Sequence, residues 1–545
     1  MSERSEPAAA PPEPEEKSAS AKTTGIVSLA IFSSRIMGLI RDMLMARFFS
    51  PYLRDCFQVA FRTPNMLRDL FAEGALSTAF VTVFSKKIKT EGDAPAWALA
   101  HKMLTLATIF MSLISLGGVL LAPLIVKLLA GGWDDEKLRF TILLAQIMYP
   151  FILLVSLSAL VMGMLNAKKV YGAPAMASTY FNITSVVLGL GLGWLFDRDM
   201  GWVAMIWFSI GTLLGGLAQL ASQFPALRRV GYKFKWDRLW KNDEGVRKIL
   251  QLMWPAIIAG GAVQVNVLLN TIFASHITGD KDGPVTWLSM AFRLMQLPLG
   301  VFGVAVATVT LPVISRAATD GITDKFRSAL GAGNRLVLFL CIPSAIGLML
   351  LASPIISILF ERGKFTGYET AKTAVALQYY AIGLVFYALI KVVQPAFTAI
   401  DRRFIPMTVA TISIFVNAGL NTLFVFVFKK GHEFLALSTA IVACLNCAIL
   451  YITLTRISKG LENRQLIQTL GRLIIPLAAL AGICLLGTHT ILARDTWIHW
   501  GFFARAATLG ATLAVAGGLY IGLATVLRVD EARQFSRIVL RKLKR

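Results

Sequence analysis

The stretch SSRIMGLIRD, residues Ser33–Asp42, places three charged side chains inside an apolar run that extends from about Ile26 to Phe49. A run of this kind has the length of roughly 20 residues with which a helix spans a hydrocarbon core of ~30 Å. Ionisable side chains inside a span are costly and usually face a bundle interior, a water-filled cavity or a partner. The stretch therefore predicts a membrane-spanning helix bundle with a polar interior.

The composition of the whole chain favours the same class of protein. The 545 residues are 56% hydrophobic and the mean hydropathy is +0.65, whereas soluble proteins of this length are less apolar. A net charge of +23 would indicate nucleic-acid binding in a soluble protein. In a membrane protein, basic residues gather in cytoplasmic loops, so no nucleic-acid partner is expected.

About fourteen apolar segments predict an all-α polytopic membrane protein. Their approximate limits are 25–49, 57–85, 99–130, 138–165, 174–196, 201–223, 248–276, 285–312, 330–360, 371–399, 405–428, 434–456, 468–491 and 501–527. Basic residues cluster in alternate connecting loops, which by the positive-inside rule places both termini in the cytoplasm. An even number of segments agrees with that placement.

An internal repeat relates the first six segments to the next six. AFRTPNMLRDLF, around Arg62, resembles AFRLMQLPLGVF, around Arg293, and the offset in numbering is 293 − 62 = 231. NAKKVYGAP, ending at Pro174, resembles TAIDRRFIP, ending at Pro406, and here the offset is 406 − 174 = 232. Because each half holds an even number of segments, the halves are predicted to be parallel repeats that rock about a central cavity, as in transporters.

The predicted domain boundaries follow from this organisation. The first segment of chain, rich in Glu, Pro, Ala and Ser, has the composition of a disordered region. The predicted domains are a disordered cytoplasmic tail 1–22, an N-terminal lobe 23–223, a basic cytoplasmic linker 224–247, a C-terminal lobe 248–457, a pair of C-terminal helices 458–528 and a basic cytoplasmic tail 529–545.

Charged residues recur within the predicted spans. Arg35 and Asp42 lie two helical turns apart and share a face, with Arg41 at its edge and Ser34 beside it. Further charges in the second and eighth segments are Asp55, Arg62, Arg68, Asp69, Glu73 and Arg293. Salt bridges between helices are one interpretation, but arginines outnumber carboxylates here. Surplus guanidinium groups in a membrane cavity favour an anionic ligand such as phosphate or pyrophosphate.

Longer blocks of the chain resemble one family, the MurJ (MviN) lipid II flippases of the MOP transporter superfamily. The similar blocks are SRIMGLIRD, DCFQVAFRTPNMLRDLFAEGALSTAF, MLNAKKVYGAPA, RLMQLPLGVFGVAVATVTLPVISR, LFERGKF and AFTAIDRRFIP. The resemblance runs from about Thr24 to the last helix. It implies a MATE-like fold of fourteen helices, with two six-helix lobes around a cationic cavity and two last helices that form a groove for a polyprenyl tail.

The resemblance implies a transporter and not an enzyme. Its substrate would be lipid II, an undecaprenyl-pyrophosphate disaccharide-pentapeptide, moved by alternating access from the cytoplasmic to the periplasmic leaflet of the bacterial inner membrane for peptidoglycan synthesis. Membrane lipids are expected partners, and other cell-wall synthesis proteins are candidate partners. Two alternatives remain. A flippase for another polyprenyl-pyrophosphate glycan, such as an O-antigen unit, shares the cavity chemistry. A MATE-like antiporter that exports cations should instead show a carboxylate-rich cavity.

The resemblance also assigns residues. The expected substrate-binding residues are Arg35, Arg41, Arg68, Arg293, Ser34 and Thr286, and the expected gating or salt-bridge residues are Asp42, Asp55 and Glu73.

The chain departs from the family at two positions. Phe292 stands where the family often has an acidic residue, and Asn270 stands where some members have an Asp of a sodium site. Asn270, Asp401 and Asn417 are the candidate sodium ligands, because a hard cation prefers oxygen ligands. Ordinary loop or helix-packing roles are the alternative for the last two. The missing charge at Asn270 argues against sodium coupling, and no other cofactor is expected.

Overall fold

The computed structural model describes residues 14–237, 239–240, 243–277, 279–280, 282–319 and 321–533, and these residues are almost entirely helical. A helix satisfies its own backbone N–H and C=O groups, which a lipid environment requires of any spanning segment. Residues 1–13 of the predicted N-terminal tail and 534–545 of the predicted C-terminal tail lie outside the described residues.

The first half of the chain forms helices that follow the predicted segments. They are α1 Pro14–Phe48, α2 Pro51–Leu67, α3 Ser77–Glu91, α4 Asp93–Leu129, α5 Asp135–Met148, α6 Phe151–Ala167, α7 Gly172–Phe196, α8 Trp202–Ala221 and α9 Phe224–Arg229. A π-helical stretch, Arg68–Leu76, joins α2 to α3.

The second half continues in the same way. Its helices are α10 Glu244–Ser275, α11 Pro284–Pro298, α12 Val304–Ala318, α13 Asp324–Leu350, α14 Ala352–Phe360, α15 Gly367–Ala399, α16 Phe404–Thr422, α17 Glu433–Ile457, α18 Asn463–His489, α19 Arg494–Trp497 and α20 Phe502–Val526. A π-helical stretch, Leu299–Gly303, joins α11 to α12, and another, Leu423–Val427, extends α16.

Eleven helical spans among the described residues are long and apolar enough to cross a membrane, by length and composition. The three other predicted segments, 25–49, 57–85 and 248–276, are helical as well. The first two carry the charges discussed above, which lower their hydropathy. The described residues therefore form a polytopic helical protein, and the count of fourteen spans stays a prediction.

Two local features recur at the offset of the internal repeat. Just beyond α6, Lys169 has a φ of 61°, and just beyond α15, Asp401 has a φ of 56°; the offset between them is 401 − 169 = 232. In each turn the amide of the next residue donates to a carbonyl five positions earlier, at 2.8 and 2.7 Å. A left-handed conformation is uncommon for residues other than glycine, so its recurrence supports the duplication.

The π-helical stretches Arg68–Leu76 and Leu299–Gly303 also begin at the offset of the repeat, 299 − 68 = 231. Each follows a proline inside the preceding helix, Pro64 or Pro298. Proline lacks the N–H that the α-helical ladder needs, and single π-helical turns are frequent at functional sites. The repeat therefore extends from sequence to irregular backbone geometry.

The described chain forms two compact units. Unit 1 contains Met1–Met45, Ala60–Pro123 and Ile142–Gly260 as far as these are described, and unit 2 contains Ala46–Val59, Leu124–Thr141 and Gly261–Arg545 likewise. Two short pieces from the first half of the chain are therefore part of unit 2. The predicted domain boundaries stay a prediction.

Each unit has its own packed interior. In unit 1, α7 and α8 touch backbone to backbone, since a Cβ at Gly211 would lie 2.4 Å from the Cα of Gly189; small residues allow this approach between membrane helices. In unit 2, α13, α18 and α20 share an apolar cluster, and the hydroxyl of Tyr520 donates to the carbonyl of Phe339 at 2.7 Å.

Candidate functional site

Arg41, on α1, is held in unit 1 by a carboxylate and an aromatic ring. Its Nη2 lies 3.3 Å from Oδ1 of Asp42, and the two side chains are 12% and 8% exposed. Its guanidinium carbon lies 5.5 Å from the ring centroid of Phe181, on α7. Arg35, less than two turns earlier on α1, is exposed, and Ser34 is half-buried. The predicted residues of α1 thus share one helix, with Arg41 fixed and Arg35 accessible.

Arg68 is the first residue of the π-helical stretch in unit 1. Its Nη2 lies 2.8 Å from Oδ1 of Asp69, and both side chains are partly exposed. Glu73 belongs to the same stretch, but its side chain lies outside the described part of the chain. Arg68 is therefore paired locally while it keeps access to water.

Arg293 lies on α11 in unit 2 and is exposed. The ring of its neighbour Phe292 packs against Tyr380 at a centroid distance of 5.3 Å. The position where the family often has an acidic residue is therefore occupied by an aromatic contact. Thr286 lies two turns before Arg293 on the same helix, about 10 Å along its axis.

Asp55 caps the beginning of α11 from another part of the chain. Its Oδ2 accepts the backbone N–H of Gly283 at 2.7 Å, and its Oδ1 accepts the N–H and the hydroxyl of Thr286 at 2.9 and 2.7 Å. A carboxylate is stabilised at a helix N-terminus by free N–H groups and the positive end of the helix dipole. Asp55 and Thr286 are 231 residues apart, so the contact joins equivalent positions of the two repeats.

Lys137 completes the surroundings of Asp55. Its Nζ lies 3.7 Å from Oδ2 of Asp55 and donates to Oδ1 of Asp282 at 2.7 Å. Lys137 and Asp55 are each 1% exposed, whereas Asp282 is 43% exposed. The ammonium group also lies over the ring of Trp133, 4.1 Å from its centroid. We call Asp55, Lys137, Gly283 and Thr286 the cap cluster.

A second buried ion pair lies one residue away. Arg54 pairs with Glu369 of α15, and these residues are 0% and 2% exposed. The same carboxylate accepts the indole N–H of Trp287 at 3.3 Å and the N–H of Thr366 at 3.3 Å. Breaking a buried pair of this kind typically costs about 3–5 kcal/mol, because one charge is left uncompensated.

Three of these residues were not predicted from the sequence. Arg54 and Lys137 are adjacent to predicted spans, where charges are normally solvated, and Glu369 precedes the tenth segment. The helix-capping role of Glu369 could have been predicted, because Thr366 and Glu369 form a capping box. Its sequence pattern is S/T-x-x-E. Nothing local marked Lys137, because its partners lie in other helices.

The candidate sodium ligands Asn270 and Asn417 meet in a cluster of amides and hydroxyls in unit 2. Asn417 Nδ2 donates to Oδ1 of Asn270 at 3.3 Å, Asn421 Nδ2 donates to the same oxygen at 3.0 Å, and Asn270 Nδ2 donates to the hydroxyl of Thr439 at 2.9 Å. The hydroxyl of Ser438 contacts the oxygens of both Asn417 and Asn421. The polar groups of the amide cluster (Asn270, Asn417, Asn421, Ser438, Thr439) thus contact neutral partners, which also include Asn266.

Asp401 lies apart from the amide cluster. It is exposed in the turn before α16, and Asn417 is 13 residues into that helix, about 20 Å along its axis. Among the described residues there is no group of three or more His, Cys, Asp or Glu side chains that could hold a metal ion. The structure brings two of the three candidate ligands together, and the sodium role stays a prediction.

Comparison with known proteins places this geometry in a family. The sequence profile of the family described as "Lipid II flippase MurJ" matches residues 44–507. A "Probable lipid II flippase MurJ" of Rhizobium meliloti (strain 1021) is 34% identical over 510 residues, 92% of this chain and 93% of the relative. The protein of the same description from Vibrio cholerae serotype O1 is 32% identical over 518 residues, 92% of this chain and 95% of the relative.

Solved structures show the same fold. "Lipid II flippase MurJ, inward closed conformation" superimposes with a TM-score of 0.72 at 24% identity, over 92% of this chain and 99% of the other. An inward-facing "multidrug resistance MATE family transporter of the MOP superfamily" gives a TM-score of 0.65 at 16% identity, over 78% and 95%. The profile covers well over half of the chain, and the helices are those of a multi-pass membrane protein. The chain belongs to the MurJ family of lipid II flippases.

Proposed function

We propose that this protein is a flippase that moves lipid II from the cytoplasmic to the periplasmic leaflet of the inner membrane, with both termini in the cytoplasm. In this proposal Arg35 and Arg41 of unit 1 and Arg293 of unit 2 bind the pyrophosphate, and Arg68 assists. Arginine stays charged and binds phosphate oxygens bidentately. Fourteen spans in two parallel six-helix lobes, with α18 and α20 outside them, are part of the proposal.

The observation that carries the proposal is that four carboxylates contact other groups of the protein. Asp42 contacts Arg41, Asp55 caps α11, Asp69 contacts Arg68 and Glu369 pairs with Arg54. A cation antiporter needs a carboxylate with free oxygens in its cavity, whereas these are engaged by the protein itself. Arg35 and Arg293 are exposed. Among these described side chains, the two exposed ones are therefore positively charged, which suits an anionic headgroup.

An apolar cavity suits the lipid tail. It has a volume of about 370 Å³ and its lining includes Phe339, Pro343, Leu480, Leu513, Tyr520 and Ile521. These residues belong to α13, α18 and α20. The polyprenyl chain is proposed to lie here while the headgroup is moved, because apolar chain in an apolar cavity avoids contact with water.

The cap cluster is proposed to act as a gate in alternating access. It joins pieces of both repeats within unit 2 through hydrogen bonds to Asp55. Opening that end of the protein requires these bonds to break. The membrane potential, inside negative, favours outward movement of an anion by ~2.3 kcal/mol per charge per 100 mV, and we propose it as the driving force.

Replacing sodium by potassium is expected to leave the rate of lipid II movement unchanged. The amide cluster holds neutral oxygens that already accept hydrogen bonds, and a sodium ion would have to displace them without a carboxylate to compensate. The measurement is lipid II movement in proteoliposomes with either salt inside and outside at equal ionic strength. A rate that collapses in potassium would contradict this prediction and make the amide cluster a sodium site.

The test of the proposed function uses wild-type proteoliposomes and labelled lipid II, with accessibility of the label in each leaflet as the readout. A lipid-linked O-antigen precursor and an organic cation are the comparison substrates. We expect movement of lipid II and much slower movement of the other two. If only the O-antigen precursor moved, the protein would be a flippase for a different substrate. Movement of the organic cation alone would replace the proposal by an antiporter.

A further inference from the structure

The block LFERGKF, between α14 and α15, has no role in the proposed function. Its carboxylate is engaged within the protein, since Glu361 pairs with Arg494 and accepts the hydroxyl of Thr370 at 2.8 Å. The next residue, Arg362, has its guanidinium carbon 4.3 Å from the ring centroid of Phe502, the first residue of α20. The loop thus presents an arginine against the beginning of a long apolar helix.

Arg505, in the first turn of α20, has hydrogen-bond donors that no described residue accepts. It is 8% exposed, and its guanidinium carbon lies 5.5 Å from the ring centroid of Trp497. Its Nε and Nη1 atoms are buried and have no hydrogen-bond partner among the described residues. A buried donor without an acceptor costs about 1–3 kcal/mol, and more when it is charged. Such a group is either strained or part of a binding site.

A third arginine contacts the same loop through its backbone. The N–H of Lys364 donates to the carbonyl of Arg47 at 2.9 Å. Gly363 has a φ of 60°, and a Cβ there would lie 2.3 Å from the same carbonyl oxygen, so the approach requires glycine. The pKa of Arg362 is lowered, first by burial and then by the positive charges of Arg505 and Arg47.

Arg47, Arg362 and Arg505 are the arginine trio, a group of cations whose mutual repulsion a bound anion would relieve. We infer that the arginine trio binds the phosphate or pyrophosphate group of a lipid at the end of the membrane where α20 begins. Guanidinium groups offer several fixed N–H donors to phosphate oxygens. The beginning of α20, a helix of 25 residues, adds free backbone N–H groups and the positive end of its dipole.

Two features indicate a lipid in preference to free phosphate. Exposed aromatic residues, Trp500, Phe502 and Phe503, surround the start of α20, and aromatic belts mark membrane–water interfaces. The apolar cavity described above also continues along the same elements, because Ile355 of α14 and Leu513 of α20 line it. Leu513 is about 12 Å along the helix from Arg505, so the chain of a lipid whose phosphate is at the trio can enter the cavity.

The identity of the lipid, which is lipid II after its transfer, rests on the proposed function. Phosphate binding by the arginine trio does not depend on the proposed function. The arginine trio, at the end of the membrane to which lipid II is moved, would hold the pyrophosphate before the lipid leaves the protein. The order of events is then binding by Arg35, Arg41 and Arg293, transfer, and capture by the trio.

The test measures binding to the full-length protein in detergent by calorimetry. The parent carries Arg41→Ala and Arg293→Ala, so that the other proposed phosphate ligands are weakened. The probes are farnesyl pyrophosphate, inorganic pyrophosphate and farnesol. We expect farnesyl pyrophosphate to bind at least tenfold more tightly than the other two, and Arg505→Met or Arg362→Met to weaken it at least tenfold. Arg316→Met, which removes an exposed arginine from α12, is the control and should change nothing.

Thermal unfolding separates binding from a structural role. Without probe, Arg505→Met should unfold at the same temperature as its parent or higher, because it removes an uncompensated buried charge, and it should lose the stabilisation that farnesyl pyrophosphate gives the parent. A large fall in the unfolding temperature without probe would make Arg505 structural and overturn the inference. Unchanged binding of farnesyl pyrophosphate in both variants would also overturn the inference. If inorganic pyrophosphate bound as tightly as farnesyl pyrophosphate, the claim that the ligand is a lipid would be wrong. Trio-dependent binding by a protein that moves no lipid II would reject the proposed function alone.

Discussion

Proteoliposomes that contain the Arg293→Ala variant are expected to move lipid II at least about tenfold more slowly than wild type, and Arg41→Ala is expected to do the same. A hydrogen bond to a charged group contributes about 1.5–3 kcal/mol, which corresponds to a factor of roughly 10–150 in a rate or affinity. The double variant should lose movement altogether. The readout is the accessibility of labelled lipid II in the receiving leaflet over time.

The control for Arg293 is Arg316→Ala, an exposed arginine in the last turn of α12. It removes the same charge and should keep the wild-type rate. Arg41→Lys keeps the charge but not the bidentate geometry, so an intermediate rate is expected. If Arg41→Ala and Arg293→Ala both moved lipid II as fast as wild type, these arginines would be structural and pyrophosphate binding would have to be sought elsewhere.

Replacing Asp55 by alanine is expected to open the gate that we propose the cap cluster forms. The substitution leaves the N–H of Gly283 and the N–H and hydroxyl of Thr286 without their acceptor. It also removes one of the two carboxylates near Lys137, whose hydrogen bond to Asp282 remains. A buried donor left without an acceptor costs about 1–3 kcal/mol, and a total loss of about 3 kcal/mol is roughly a hundredfold increase in the open population. Native Cys56, which is fully buried, reports opening when a membrane-impermeant maleimide is added outside cells and the other cysteines are replaced.

Two further variants make the readout specific. Thr286→Val removes one hydrogen bond from a helix that does not contain Cys56, so faster labelling there cannot come from a change next to the thiol. Asp282→Ala removes the half-exposed partner of Lys137 but leaves Asp55 and its hydrogen bonds to Gly283 and Thr286 in place, so it should have a smaller effect. Labelling of the Asp55→Ala protein at the wild-type rate would show that the cap cluster does not control access.

Much of the fold was predictable because membrane helices are specified locally. Each span needs its own apolar run, and the segments predicted from those runs are helical in the described chain apart from short turns, such as those at Tyr149 and Pro150 and at Leu351. The repeat was also readable, and the structure extends it to the left-handed Lys169 and Asp401. The residues of the N-terminal block led to the family, which the sequence profile and the relatives bear out.

The contact partners of the buried polar and charged residues could not be predicted from local sequence. Arg54 and Glu369 lie 315 residues apart, Lys137 and Asp282 lie 145 apart, and no periodicity relates such positions. The candidate sodium ligands show the same limit. Asn270 and Asn417 do meet, but they meet Asn421 and Ser438 and not Asp401.

The sequence by itself determined which segments are helical, where arginines enter apolar helices and to which family the chain belongs, because hydropathy and motif spacing are properties of neighbouring residues. Only the tertiary structure decided which charges are free to meet a ligand. Asp55 and Glu369 are engaged by groups that folding brings from distant parts of the chain, whereas Arg505 is buried with two donors that no residue of the described chain accepts. Contacts between residues so far apart in the chain exist only once the helices are packed.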